Sequence, residues 1–164
     1  MKKILLLSDT HSYMDDRILF YAEQADEVWH GGDFGNVEVA KELQALKPLR
    51  GVYGNIDGTE LRKEFPETLR FHCEDVEVLM MHIGGYPGRY SALAKSEINK
   101  KKPTIFISGH SHILKVMMDK EKNILHLNPG ACGKIGWHKV RTLLRFTIDK
   151  NEIKNLEVIE LGIK

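Results

Sequence analysis

Apolar and polar positions follow two regimes along this chain. In the first, short apolar runs rich in Val, Ile and Leu are bounded by Gly, Asp or Ser, as in Ile4-Leu5-Leu6-Leu7-Ser8 and Thr104 to Ser108. Such runs predict buried strands. In the second, apolar residues recur at helical spacing, as at Ile18, Leu19 and Ala22. Together they predict strands over 3–8, 27–31 and 49–53, with helices over 15–25 and 37–46 between them. That alternation implies right-handed parallel crossovers. Further on, 67–73 and 76–82 predict a hairpin turning at Glu74-Asp75, and 90–101 predicts a helix. The remainder is strand-rich, over 104–108, 113–119, 123–127, 140–149 and 152–161, with polar turns at 119–122 and 149–151. The expectation is an α/β fold whose first half builds a mainly parallel sheet. The second half adds an antiparallel sheet packed against it.

Five of these runs end in a side chain that can bind a metal. They lead into Asp9-Thr10-His11, Asp33, Asn55, His82 and Gly109-His110-Ser111-His112. Ligands of open α/β sheets gather beyond the carboxyl ends of the strands. Seven oxygen and nitrogen donors spread over a hundred residues are thus predicted to converge. Asp9 and His11 stand at i and i+2, as do His110 and His112, so each pair shares one side of an extended segment.

Composition narrows the chemistry. The chain has 164 residues, and that length points to a single domain over 1–164. A net charge of +1, from 24 basic and 23 acidic residues, gives no sign of a nucleic-acid or anionic-membrane partner. No apolar stretch approaches the roughly 20 residues of a spanning helix. Cys73 and Cys132 form no CxxC pair, which predicts a reducing cytoplasm and no disulfide framework. The donors include no thiolate. Carboxylate, imidazole and amide oxygen suit Mn, Fe, Zn or Ni, and disfavour a thiolate zinc site or an all-oxygen calcium site. Seven donors exceed the needs of one first-row ion. Two divalent ions sharing a carboxylate account for them, a geometry suited to in-line displacement at phosphorus. Any one of these short motifs is ordinary loop chemistry; their joint order at strand ends carries the argument.

That ordered set, Asp9-x-His11, Gly32-Asp33, Gly54-Asn55, His82 and Gly109-His110-Ser111-His112, followed by Asn128-Pro129-Gly130, resembles the calcineurin-like metallophosphoesterase superfamily. The size and the Gly54-Asn55-Ile56-Asp57 form are similar to the small prokaryotic phosphodiesterases of the YfcE type, relatives of the retromer subunit Vps29. The resemblance implies a four-layer α-β-β-α sandwich of two packed mixed sheets. It implies that Asp9, His11 and His112 hold a first metal, that Asn55, His82 and His110 hold a second, and that Asp33 bridges them. It also implies attack on phosphorus by a metal-bridging hydroxide, with Asn55 and the cations stabilising the developing charge. Asp33, Asn55 and His82 are on this basis the catalytic candidates, and manganese the favoured cofactor, with Fe, Ni or Zn as alternatives. Two places depart from the family pattern: His82-Ile83-Gly84-Gly85 lacks a second His, and Ala131 stands where a Ser is usual. Ile56 also occupies the place of the His that larger relatives use as a general acid.

Weaker candidates surround this set. Asp57 is a candidate for ligand orientation or substrate contact, with a turn role as the plainer reading. Arg89 is a candidate phosphate contact, because guanidinium matches phosphate geometry. His30 is expected either behind the bridging carboxylate or as a core histidine, and Asn128 either to position the His110–His112 loop or to shape its own turn. His72, His126 and His138 have no motif support, and Trp29 is expected in the core. The leading expectation is hydrolysis of a small phosphodiester substrate. Phosphomonoesterase, nuclease and a non-catalytic Vps29-like scaffold are the alternatives, and a homo-oligomer is left open.

Overall fold

A computed structural model describes residues 1–164. In chain order the elements are β1 (Lys2–Leu7), α1 (Asp16–Glu23), β2 (Glu27–His30), α2 (Val37–Leu46), β3 (Leu49–Gly51) and α3 (Thr59–Glu64). They continue with β4 (Thr68–Cys73), β5 (Val76–Met81), β6 (Gly85–Tyr86), β7 (Arg89–Tyr90), α4 (Ala92–Lys100) and β8 (Ile105–Ile107). The last are β9 (Leu114–Asp119), β10 (Ile124–Pro129), β11 (Val140–Asp149) and β12 (Glu152–Ile163). One sheet has the order β12-β11-β1-β2-β3, the other β4-β5-β8-β10-β9, and a small ribbon joins β6 to β7.

β1 shows why the sequence reads as continuous apolar runs. Its side chains alternate between two cores: Leu5 and Leu7 pack beneath α1 and α2, while Ile4 and Leu6 enter the space between the sheets. A strand buried on both faces needs apolar residues at every position. Trp29 fills the centre of the inter-sheet core, edge-on to Phe71 at 5.0 Å and Phe146 at 5.7 Å. On the outer face of the second sheet, Ala94 and Ile98 of α4 pack on Leu79, Met81 and Phe106. The result is the four-layer sandwich. Three helices are capped by the residue the sequence supplies: Asp15, Asn36 and Ser91 each accept a bond from a first-turn backbone N–H.

The sheets are not divided by halves of the chain. β1, β2 and β3 are parallel, but β11 joins β1 antiparallel on its free side and carries β12 with it. The second sheet takes β4 and β5 from the first half, with β5, β8 and β10 parallel. β11, expected in an antiparallel sheet of the second half, is buried on both faces along most of its length because it lies inside the first sheet, between β1 and β12. α3 and the β6–β7 ribbon were not anticipated; α3 buries only Leu61 and has no apolar periodicity. No helix is long and apolar enough to cross a membrane. Both cysteines are free and buried.

Candidate metal centre

Every proposed donor lies just past the carboxyl end of a parallel strand. Asp9 and His11 follow β1, Asp33 follows β2, and Asn55 follows β3. His82 follows β5, and His110 and His112 follow β8. The first sheet therefore supplies both carboxylates, the amide and one imidazole; the second supplies three imidazoles. The donors gather into two groups: Asp9, His11 and His112, and Asp33, His82 and His110. In the first, Asp9 Oδ1 lies 3.1 Å from His112 Nε2 and 3.8 Å from His11 Nε2. In the second, Asp33 Oδ2 lies 3.1 Å from His82 Nε2. The same Oδ2 is 3.4 Å from His11 Nε2, so Asp33 touches both groups. Asn55 reaches the second group through its Oδ1, 3.0 Å from His110 Nδ1.

The residues fit divalent cations by a direct criterion. Asp9 Oδ1, His11 Nε2 and His82 Nε2 are buried and have no hydrogen-bond partner. Buried polar atoms are almost always paired, and these three face one another. Their remaining atoms are engaged from behind. Asp9 Oδ2 accepts from the Ser8 hydroxyl at 2.7 Å and from the His110 backbone N–H at 3.1 Å. His82 Nδ1 is 2.7 Å from the Gly31 carbonyl, to which it donates, leaving Nε2 with a free lone pair. Carboxylate and imidazole donors without thiolate suit first-row ions.

The backbone pays for this convergence. Asp9, His11, Asp33, His110 and His112 all have φ between 44° and 69°. That left-handed conformation costs a non-glycine residue about 1–2 kcal/mol, and such strain concentrates at functional sites. Glycines supply clearance: a methyl on Gly32 would sit 2.6 Å from His82 Nδ1, and one on Gly54 would collide with the Asp33 carboxylate.

The weaker candidates separate. Asp57, a candidate for substrate contact, is instead buried and saturated. Its carboxylate accepts backbone N–H bonds from Gly54 at 2.8 Å, Gly35 at 2.9 Å, Asp33 at 3.0 Å and Phe34 at 3.3 Å. Both oxygens are engaged by backbone, and the side chain ties the Asp33 loop to the Asn55 loop. Arg62 holds the same loop, donating to the carbonyls of Asp57 and Asn55. Arg89 lies exposed in the β6–β7 ribbon and bonds to none of the seven donors. His30 accepts from the Gly32 N–H at 3.0 Å, meets Thr10 Oγ1 at 3.1 Å and stacks on Phe34. Burial pushes its pKa down to about 3, so it stays neutral and positions the residue before Asp33. Asn128 donates to Gly109 O and Ser111 Oγ, which shapes the His110–His112 loop. Ser8 was not singled out, since no motif marks it; the ring of His138, expected to be structural or exposed, lies 5.2 Å from that of His112, edge-on, from a distant loop.

Electrostatics follow from the packing. Burial would raise the Asp9 carboxyl, but contacts from His11, His112 and Ser8 hold it well below the usual range. Burial acts on Asp33 in the same way and is overcome by His11 and His82. In return, the carboxylates of Asp33 and Asp9, 3.4 and 3.8 Å from its Nε2, lift the His11 pKa to about 9.

Comparison with known proteins gives the family and the fold. Residues 1–151 match the calcineurin-like phosphoesterase superfamily domain. The chain belongs to the calcineurin-like phosphoesterase superfamily. A phosphodiesterase of Methanocaldococcus jannaschii is 25% identical over 146 residues, covering 79% of this chain and 84% of that protein. In three dimensions, Vps29 of Entamoeba histolytica complexed with zinc superposes with a TM-score of 0.75 at 18% identity, covering 96% of this chain and 98% of that one. A predicted phosphoesterase of Streptococcus pneumoniae gives 0.73 at 21%, covering 99% and 92%.

Two outcomes test the site in this superfamily member. Asp57→Ala leaves buried N–H groups unpaired, each worth about 1–3 kcal/mol. It is expected to lower the unfolding free energy in urea by more than about 2 kcal/mol; a change under about 0.5 kcal/mol contradicts the role assigned to it. Cation binding must displace the His11 proton, because an imidazole ligand is neutral. His11 stays protonated below about pH 9. Apparent manganese affinity, measured by titration calorimetry, should therefore rise between pH 7 and 9, by up to about tenfold per unit for one proton. An affinity flat across that window contradicts the assignment.

Proposed function

We propose that this chain is a dinuclear metal-dependent phosphodiesterase acting on small phosphodiesters, as one domain over 1–164. The observation that carries the reading is Asp33 Oδ2, which lies within 3.4 Å of an imidazole from each donor group. Asp9, His11 and His112 would hold one cation and Asn55, His82 and His110 the other, with Asp33 available to both. Bound divalent cations supply Lewis acidity at the phosphoryl oxygens and make water a stronger acid. The chain's own residues do the rest. Ser8, the Gly31 carbonyl and the Asp57-bonded loop fix the donors before substrate arrives, so little reorganisation remains during reaction. Asn55, exposed and 3.0 Å from His110 through its Oδ1, would be free to stabilise charge on a phosphoryl oxygen.

The phosphodiesterase named in Methanocaldococcus jannaschii supports the substrate class, and a donor set without sulfur supports manganese, with iron, nickel or zinc as substitutes. Two buried, free thiols suit a reducing cytoplasm. The likeness to Vps29 favours a second reading, a protein-interaction scaffold. Ligand residues kept in left-handed backbone conformations argue against it, since a scaffold gains nothing from that strain.

The test is hydrolysis of methyl p-nitrophenyl phosphate by manganese-loaded protein. Asp33→Asn should cut kcat by at least about a hundredfold, with a chelator abolishing the wild-type rate. Undiminished turnover by Asp33→Asn overturns the assignment of the shared carboxylate. Aryl monoesters turned over much faster than diesters would move the enzyme to the phosphomonoesterases.

A further inference from the structure

Three exposed isoleucines stand beside the metal donors. Ile56, Ile83 and Ile113 each directly follow a donor, Asn55, His82 and His112, and are 45%, 49% and 62% exposed. Two of them, Ile83 and Ile113, wall a pocket of about 160 Å³ with Tyr86 and Lys115. Gly109 and His110 form its metal-ward end, so the pocket opens from the donor cluster itself. The Lys115 ammonium lies 4.0 Å above the Tyr86 ring centroid, which holds that ring as a flat wall. Lys115 makes no ion pair, and its stem adds methylene surface to the lining.

We propose that this pocket receives one ester arm of the substrate, and that the arm is a single planar ring. The inference rests on the phosphodiesterase reading and deepens it by naming a substrate class: aryl-type rather than purely alkyl phosphodiesters. Size, lining and position agree. A cavity of about 150 Å³ walled by aliphatic and aromatic side chains takes up benzene, and this pocket is of that size. Its walls offer two isoleucine side chains and Tyr86, which suit a ring by apolar burial, beside the polar groups of Ser111, His126 and Asn128. It adjoins His110, so a ring seated there leaves its phosphorus beside the donors. The pocket is too small for an extended polynucleotide, and the chain's net charge of +1 provides no electrostatic track for one.

Phenylphosphonate and methylphosphonate present the same anion with and without a ring. Titration calorimetry on manganese-loaded protein should show phenylphosphonate bound on the order of tenfold tighter or more. The double variant Ile83→Ser with Ile113→Ser should bring the ratio near unity while leaving manganese affinity unchanged. Both side chains are about half or more exposed, so folding is not at stake. Trp137→Ser, a change at a fully exposed side chain outside the pocket, should leave the ratio intact. Equal affinities for the two phosphonates in a protein that hydrolyses diesters overturn the pocket assignment alone. So does loss of the ring preference in Trp137→Ser. A retained ring preference in a manganese-loaded protein that cleaves no diester overturns the catalytic reading and leaves the pocket standing.

Discussion

Two carboxylates buried against a cluster of imidazoles at a single sheet edge are the constraint on which this structure turns. Asp9 and Asp33 are almost completely shielded from water. Burying an uncompensated charge costs several kcal/mol, and here the compensation comes from His11, His82 and His112. The histidines are themselves fixed by second contacts, such as the Gly31 carbonyl on His82 Nδ1. The left-handed backbone at five donors adds a further cost that the strand ends, the glycines and Asp57 must hold in place. A site so strained has no structural benefit of its own and is explained by what it binds.

The two sheets are the instrument of that convergence. The first brings both carboxylates and the second brings three of the histidines, so the centre spans the inter-sheet core. Within each sheet the parallel register sets neighbouring strand ends level: Leu7 pairs with His30, His30 with Gly51, and Met80 with Ile107. Between the sheets, Trp29, Phe71 and Phe146 interlock at the middle of the sandwich. A shift of one sheet over the other would separate Asp33 from His82. Core packing and site geometry are in this sense one property.

Much of this was legible in the sequence because each donor terminates an apolar run, and such runs end at one edge of a parallel sheet. All seven donors were read that way, and the structure brings all seven together. What stayed hidden has identifiable causes. Asp57 has the same local pattern whether it faces a substrate or backbone N–H groups; only the fold shows the N–H groups of Gly35 and Asp33 reaching it across more than twenty residues. The membership of β11 and β12 in the first sheet was hidden because it depends on pairing across more than a hundred residues, as between Leu6 and Leu144, which no local pattern marks. The ring-sized pocket beside His110 was hidden because Ile83, Ile113 and Lys115 come from separate loops and strands.

Anomalous diffraction from crystals grown with manganese tests the central claim most directly. The account predicts two peaks, one among Asp9, His11 and His112 and one among Asn55, His82 and His110, with the Asp33 carboxylate touching both. A lone peak, or two peaks that Asp33 does not join, would contradict it.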